Sequence, residues 1–143
     1  MNGKCLCGDV QFELFGDVPN LYQCHCSLCQ KQGGSSANAA TIIHENQFSW
    51  KLGEGNISYF KKSTGFTSDF CSNCGSPVPN CLRDTEYYWV PAGLLEDNIG
   101  LEVVAHICTS SKANWEEIST KGKQYDEMPN LDELNNVLQQ KTC

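Results

Sequence analysis

Three cysteines fall within six residues, Cys24-His25-Cys26-Ser27-Leu28-Cys29, and they constrain this chain more than any hydrophobic pattern does. Two further dyads flank them in sequence, Cys5-Leu6-Cys7 before and Cys71-Ser72-Asn73-Cys74 after. A thiolate is a soft donor suited to zinc, and tetrahedral zinc takes four donors. Seven clustered cysteines divide into four plus three. That division implies one closed structural site and one site with a coordination position left over.

A C-x-x-C loop lets both sulfurs reach one ion. In C-x-C the two cysteines reach the same face because strand side chains alternate. Single buried cysteines are common without any metal, but three dyad-like clusters in one short chain point to metal. Two pairings are open. Cys26 and Cys29 with Cys71 and Cys74 would form a ribbon of two knuckles, stranding Cys24, Cys5 and Cys7. Cys5 and Cys7 with Cys71 and Cys74 would leave Cys24, Cys26 and Cys29 as a trio. The second partition uses all seven and is preferred. If Cys24 and Cys26 share a face, His25 points to the other one. His44 and His106 read as structural or surface residues. Cys81, Cys108 and Cys143 read as free thiols, and Trp50, Trp89 and Trp115 as core or pocket wall.

At 143 residues with 40% hydrophobic and 19% charged content, the chain reads as one globular domain, 1–143. It has no apolar run long enough to span a bilayer. Met1-Asn2-Gly3-Lys4 runs into Cys5 without an apolar signal region, so a cytoplasmic protein is expected. Ten cysteines in such a chain favour metal over disulfides. The formal charge is −7, and Arg83 is the only arginine. Seven thiolates add −7 and two zinc ions +4, a further −3. Neutralising phosphates takes lysine and arginine, so nucleic acid is excluded as a partner class.

Val10–Phe15 alternates, then runs apolar, and reads as a strand. Gly8 allows a tight turn that aims thiolates and amides at a metal. Leu21–Cys24 reads as the strand delivering the central cluster, followed by a short turn or helix with Gln30 and Lys31, ending at Gly33-Gly34. Further strands are read at 36–43, 48–52, 57–60, 66–70, 87–90 and 101–107, with 57–60 and 66–70 forming a hairpin. Only the tail reads as a clear helix. Asn130 is its N-cap, Glu133 holds the capping-box position, and Leu131, Leu134 and Leu138 follow on one face. The fold class is mostly β with a short C-terminal helix.

At this point the residues resemble a known family. Gly3-Lys4-Cys5-Leu6-Cys7-Gly8-Asp9-Val10-Gln11-Phe12 is similar to the opening G-x-C-x-C-G-x-V-x-F of the glutathione-dependent formaldehyde-activating enzyme family, which includes the centromere protein V domain. Cys24 through Lys31 resembles its C-H-C-x-x-C-[RQ]-K core, and Phe70 through Ser76 its F-C-x-x-C-G-[ST]. Ala92 through Asp97 resembles A-G-x-L-D, and His106-Ile107 with Ala113-Asn114-Trp115 the closing H-I…A-x-W. The resemblance implies a β-tent fold of antiparallel sheets with two zinc ions. It assigns Cys5, Cys7, Cys71 and Cys74 to the structural zinc, and Cys24, Cys26 and Cys29 to the catalytic zinc. It implies a carbon–sulfur lyase acting on the adduct of glutathione and formaldehyde. One departure stands out. Where the family often has an arginine three residues before the second C-x-x-C, this chain has Ser68.

The function expected is a zinc-dependent carbon–sulfur lyase or thiol–aldehyde adduct enzyme. A substrate thiol, such as that of glutathione, would enter the open site as a thiolate. Gln30 and Lys31 are the candidate substrate contacts, with Lys61 and Lys62 as further cations for a carboxylate. The alternatives are a non-catalytic zinc-stabilised binding module and a zinc or redox sensor.

Overall fold

The structure, a computed structural model, describes residues 1–140. Cys143, expected as a free thiol, lies outside the described residues. The described chain forms eleven strands: β1 (Asn2–Lys4), β2 (Gln11–Leu14), β3 (Leu21–Cys24), β4 (Asn38–His44), β5 (Phe48–Leu52), β6 (Ile57–Lys61), β7 (Thr67–Cys71), β8 (Asn80–Cys81), β9 (Tyr87–Pro91), β10 (Val103–Ile107) and β11 (Lys123–Gln124). Two α-helices accompany them, α1 (Ser27–Gly33) and α2 (Leu131–Leu138). The protein is mostly β, and it ends in the short helix that Asn130 and the leucine spacing announce. None of the described helices is long and apolar enough to cross a membrane.

The chain organises into two compact units, each made of two separate segments. The first comprises Met1–Val18 and Ile42–Ile99. Its antiparallel sheet runs β1-β2-β5. Alternation along β2 buries Phe12 and Leu14 and leaves Gln11 and Glu13 half-exposed. Burying two such side chains stabilises by about 4 kcal/mol before chain entropy is counted. Phe12 stacks on Phe48 at a centroid distance of 5.6 Å. Its cross-strand partner is Gly3, where a Cβ would sit 2.2 Å from the ring, so the ring occupies the space that the glycine vacates. The same unit holds the β6–β7 and β8–β9 antiparallel pairs.

The second unit comprises Pro19–Thr41 and the segment from Gly100 onward. Here β3 pairs antiparallel with β4 and parallel with β10, and β10 pairs parallel with β11. The expectation of antiparallel sheets therefore holds for most pairs but not for these two. A parallel pair needs a long connection, and the chain between Cys24 and Val103 provides one for β3 and β10. The alternation of β3 buries Tyr22 and Cys24. Helix α2 buries Leu134, Val137 and Leu138 and packs on β10. The Asn130 side chain accepts from the Glu133 amide at 2.8 Å. Glu133 does not complete the box and pairs with Lys123 Nζ at 3.1 Å instead.

Candidate metal centres

The seven motif cysteines gather into two groups, one in each unit. In the first unit the sulfurs of Cys5, Cys7, Cys71 and Cys74 all lie within 4.8 Å of one another. Cys5 and Cys7 approach to 3.5 Å, and Cys7 and Cys71 to 3.8 Å. A tetrahedron with zinc–sulfur bonds of about 2.3 Å has an edge of about 3.8 Å, so this spacing suits a single ion such as zinc. Both loops turn on a glycine in the left-handed region, Gly8 at φ 85° and Gly75 at φ 76°. Amides and hydroxyls line the cluster. The Val10 amide donates to Cys5 Sγ at 3.3 Å, and Ser76 Oγ lies 3.3 Å from Cys74 Sγ while accepting from the Leu6 amide. Hydrogen bonds from the Ser76 hydroxyl and then its backbone pull the Cys74 thiol down to about 5. Cys5 and Cys71 are buried with Val10 and Val78, and Trp50, Ile57 and Leu94 pack against them. This cluster is therefore part of a hydrophobic core.

In the second unit the sulfurs of Cys24, Cys26 and Cys29 form the other group within 4.8 Å. Cys24 ends β3, and Cys26 is the N-cap of α1, its sulfur accepting from the Cys29 amide at 3.4 Å. Gly34, at φ 61°, closes the helix at the place the Gly33-Gly34 pair indicates. Three sulfurs this close cannot all be thiolates without a cation. Hydrogen bonds from Cys24 and Cys29 pull the Cys26 thiol down to about 2. Those with Cys26 and Cys29, then burial, push Cys24 far up. At Cys29 a hydrogen bond with Cys24 acts downward, but Cys26 and burial outweigh it and raise the thiol to about 12. The ribbon pairing of Cys26 and Cys29 with Cys71 and Cys74 does not form.

His25 is fully buried and gives both ring nitrogens to other partners. Nδ1 meets Glu116 Oε2 at 2.8 Å, and Nε2 meets His106 Nδ1 at 3.1 Å. His106 Nε2 faces the Lys121 carbonyl at 3.0 Å. A carbonyl only accepts, so His106 Nε2 carries a proton. Burial, the leading cause, holds His106 below the usual histidine range, so its Nδ1 is the acceptor. His25 Nε2 therefore donates to His106, and Glu116, His25, His106 and the Lys121 carbonyl form one connected relay. The result clamps the residue between two candidate ligands from behind. Nothing in the sequence connects His25 to Glu116, 91 positions away, except that Glu116 directly follows Trp115 of the closing motif.

Gln30 is also committed. Its Nε2 donates to the His25 carbonyl at 2.8 Å and the Ser111 carbonyl at 3.0 Å. Lys31 is exposed in the last turn of α1. Lys61 and Lys62 are exposed on the β6–β7 hairpin of the other unit. Trp115, read as core or pocket wall, is 73% exposed, because Glu116 beside it turns inward to His25. Ser68 lies on β7 opposite Phe60.

A family model described as glutathione-dependent formaldehyde-activating enzyme matches residues 1–111. Among solved structures, a Rhodobacter sphaeroides protein shares 26% identity, with a TM-score of 0.56, over 67% of this chain and 88% of its own. No curated protein matches the sequence.

Proposed function

Because the chain belongs to the glutathione-dependent formaldehyde-activating enzyme family, we propose that it is a zinc-dependent carbon–sulfur lyase, joining a thiol to an aldehyde or cleaving the adduct. The observation that carries this reading is the trio itself. Cys24, Cys26 and Cys29 converge within 4.8 Å, while His25, the nearest further donor in sequence, faces Glu116 and His106. Three protein donors leave a fourth position, as catalytic zinc sites do. Zinc held there would lower the pKa of a substrate thiol and polarise a carbonyl.

The residues around the trio supply placement. β3 and the first turn of α1 fix the three sulfurs, and the His25 relay and the Gln30 amide hold the intervening backbone. With a metal held by the three sulfurs, a substrate thiol would lose its proton, its sulfur would bond to the aldehyde carbon, and the carbonyl oxygen would take up a proton. The reverse order cleaves the carbon–sulfur bond. Holding sulfur and carbonyl together supplies proximity as well as nucleophilicity. Lys31, two residues past Cys29, is the cation offered to a carboxylate on the thiol, as in glutathione.

A second reading, a closed four-sulfur site without turnover, draws on Cys108. It follows Ile107, the parallel register partner of Cys24. Its sulfur lies outside the group within 4.8 Å, which favours the open site. Cobalt in place of zinc separates the two readings through its thiolate absorption. Glutathione, cysteine or an alkyl thiol is expected to intensify that band in both the parent and Cys108→Ser, and Lys31→Ala to weaken binding of carboxylate-bearing thiols alone. A thiol-insensitive spectrum, with the second metal lost in Cys108→Ser, would establish the closed site.

A further inference from the structure

The β6–β7 hairpin of the first unit leaves one of its two edges open. On β7, the Cys71 amide donates to the Ser76 carbonyl at 2.9 Å and the Asp69 carbonyl accepts from the Val78 amide at 3.0 Å, so the outer edge of that strand is covered. Among the described residues, no strand pairs with the other edge of β6. At the two ends of β6, the Asn56 carbonyl accepts from the Ser72 amide at 2.8 Å and the Lys62 amide donates to the Phe66 carbonyl at 2.9 Å. Antiparallel partners alternate between bonded and non-bonded positions. The backbones of Ser58 and Phe60 therefore face β7, while Tyr59 and Lys61 turn their N–H and C=O groups outward. The side chains are open too, with Tyr59 72% and Phe60 61% exposed.

Three cations gather at the turn end of the same hairpin. Lys61 and Lys62 are exposed, and neither makes a salt bridge among the described residues. The guanidinium of Arg83, the chain's only arginine, lies against Gly65 in the turn. Its ion pair with Asp84 spans 3.8 Å and lies at the surface. This local positive charge stands against a chain of net charge −7.

We propose that the β6 edge takes up an extended acidic peptide as an added strand. Such a strand would supply the hydrogen bonds that the Tyr59 and Lys61 backbones lack, and the exposed Tyr59 and Phe60 rings would pack beside its side chains. Its carboxylates would meet Lys61, Lys62 and Arg83. Lysines guard strand edges against indiscriminate pairing, and here they select for an acidic partner. A second copy of β6 would bring its own Lys61 and Lys62 to the ribbon, so charge opposes self-pairing. A polyanion without backbone amides would meet the cations and leave the strand edge unpaired.

The test titrates the zinc-loaded protein with an acetylated, amidated hexapeptide of alternating glutamate and valine, followed by amide hydrogen exchange. Saturable binding is expected, with exchange at the Tyr59 and Lys61 amides slowed by about tenfold or more. The fully N-methylated peptide keeps the charge and donates no backbone hydrogen bond, so it is expected to bind about tenfold more weakly or worse. The lysine–valine counterpart is expected not to bind. Lys61→Glu/Lys62→Glu alters exposed side chains and is expected to keep the parent melting temperature while losing about tenfold in affinity. Tyr59→Pro removes an N–H that the hairpin ladder does not use and is expected to block the added strand. Should that variant fail to fold, the lysine variant and the N-methylated peptide carry the test. Absence of binding at millimolar peptide overturns the proposal, as does binding that leaves Tyr59 and Lys61 exchange unchanged or that N-methylation does not weaken. Protection of these amides that grows with protein concentration, without peptide, assigns the edge to a second copy and also overturns it. None of these outcomes bears on the cysteine trio, so the lyase reading is tested separately.

Discussion

Asp69 is a half-buried carboxylate with no ion pair among the described residues, and burial raises its pKa above 3.8. The folded state then binds the proton more tightly than the unfolded chain does. Stability from this group is present below the unfolded value and is lost as pH rises through the folded one. At neutral pH the Asp69 charge is therefore a burden on the fold. Asp69→Asn is expected to raise the melting midpoint at pH 7. The advantage over the parent should shrink as pH falls toward 4, and comparing the two at each pH cancels the cysteine contributions they share. A constant difference across that range would refute the burial account. His25 shows the other side of residue-scale reading. Strand alternation already turned it away from Cys24 and Cys26. Its partners were not legible, because Glu116 and His106 are brought to it by packing between segments far apart in sequence.

At the scale of elements, β3 and β5 are read from sequence with their observed bounds, and six other strands within a few residues. These strands have enough residues to show alternation or an apolar run. β1, β8 and β11 contain two or three residues and exist only because a partner strand lies beside them. The junction from β3 into α1 was legible as chemistry but not as mechanics. The spacing marks Cys24, Cys26 and Cys29, while the relay that clamps this junction comes from β10 and the segment after it. Glu116→Gln tests that clamp. The amide retains the shape but removes the negative charge, so the Nδ1 contact of His25 weakens and the β3–α1 turn loosens. Metal affinity of the trio is expected to fall by about tenfold, as for partners that orient metal ligands. The four-cysteine cluster, which contains no part of the relay, should bind as before. Equal loss at both clusters would mean that Glu116 acts on general stability.

At the scale of the molecule, the two cysteine clusters differ in what surrounds them, and this sets how tightly each should hold a metal. Cys5 and Cys71 are buried in the same small core as Val10 and Val78, so removing an ion there exposes thiolates to one another inside a hydrophobic setting. For such a site the metal-binding free energy is folding free energy. The trio instead hangs on a strand end and one helical turn braced by hydrogen bonds, and it offers three sulfurs rather than four. Two zinc ions of unequal lability are therefore expected from elemental analysis, with a mild chelator removing one first. Cys71→Ser should lower the melting midpoint by roughly 10 °C or more, since it strips a donor from the core site. Cys26→Ser should abolish thiol-dependent activity and shift melting by only a few degrees at most, because losing one of three donors weakens a site the fold does not rest on. Each variant should retain about one zinc, the opposite one. If both melt like the parent, or if the parent holds a single ion, the division of the cysteines into a structural four and an open three is wrong.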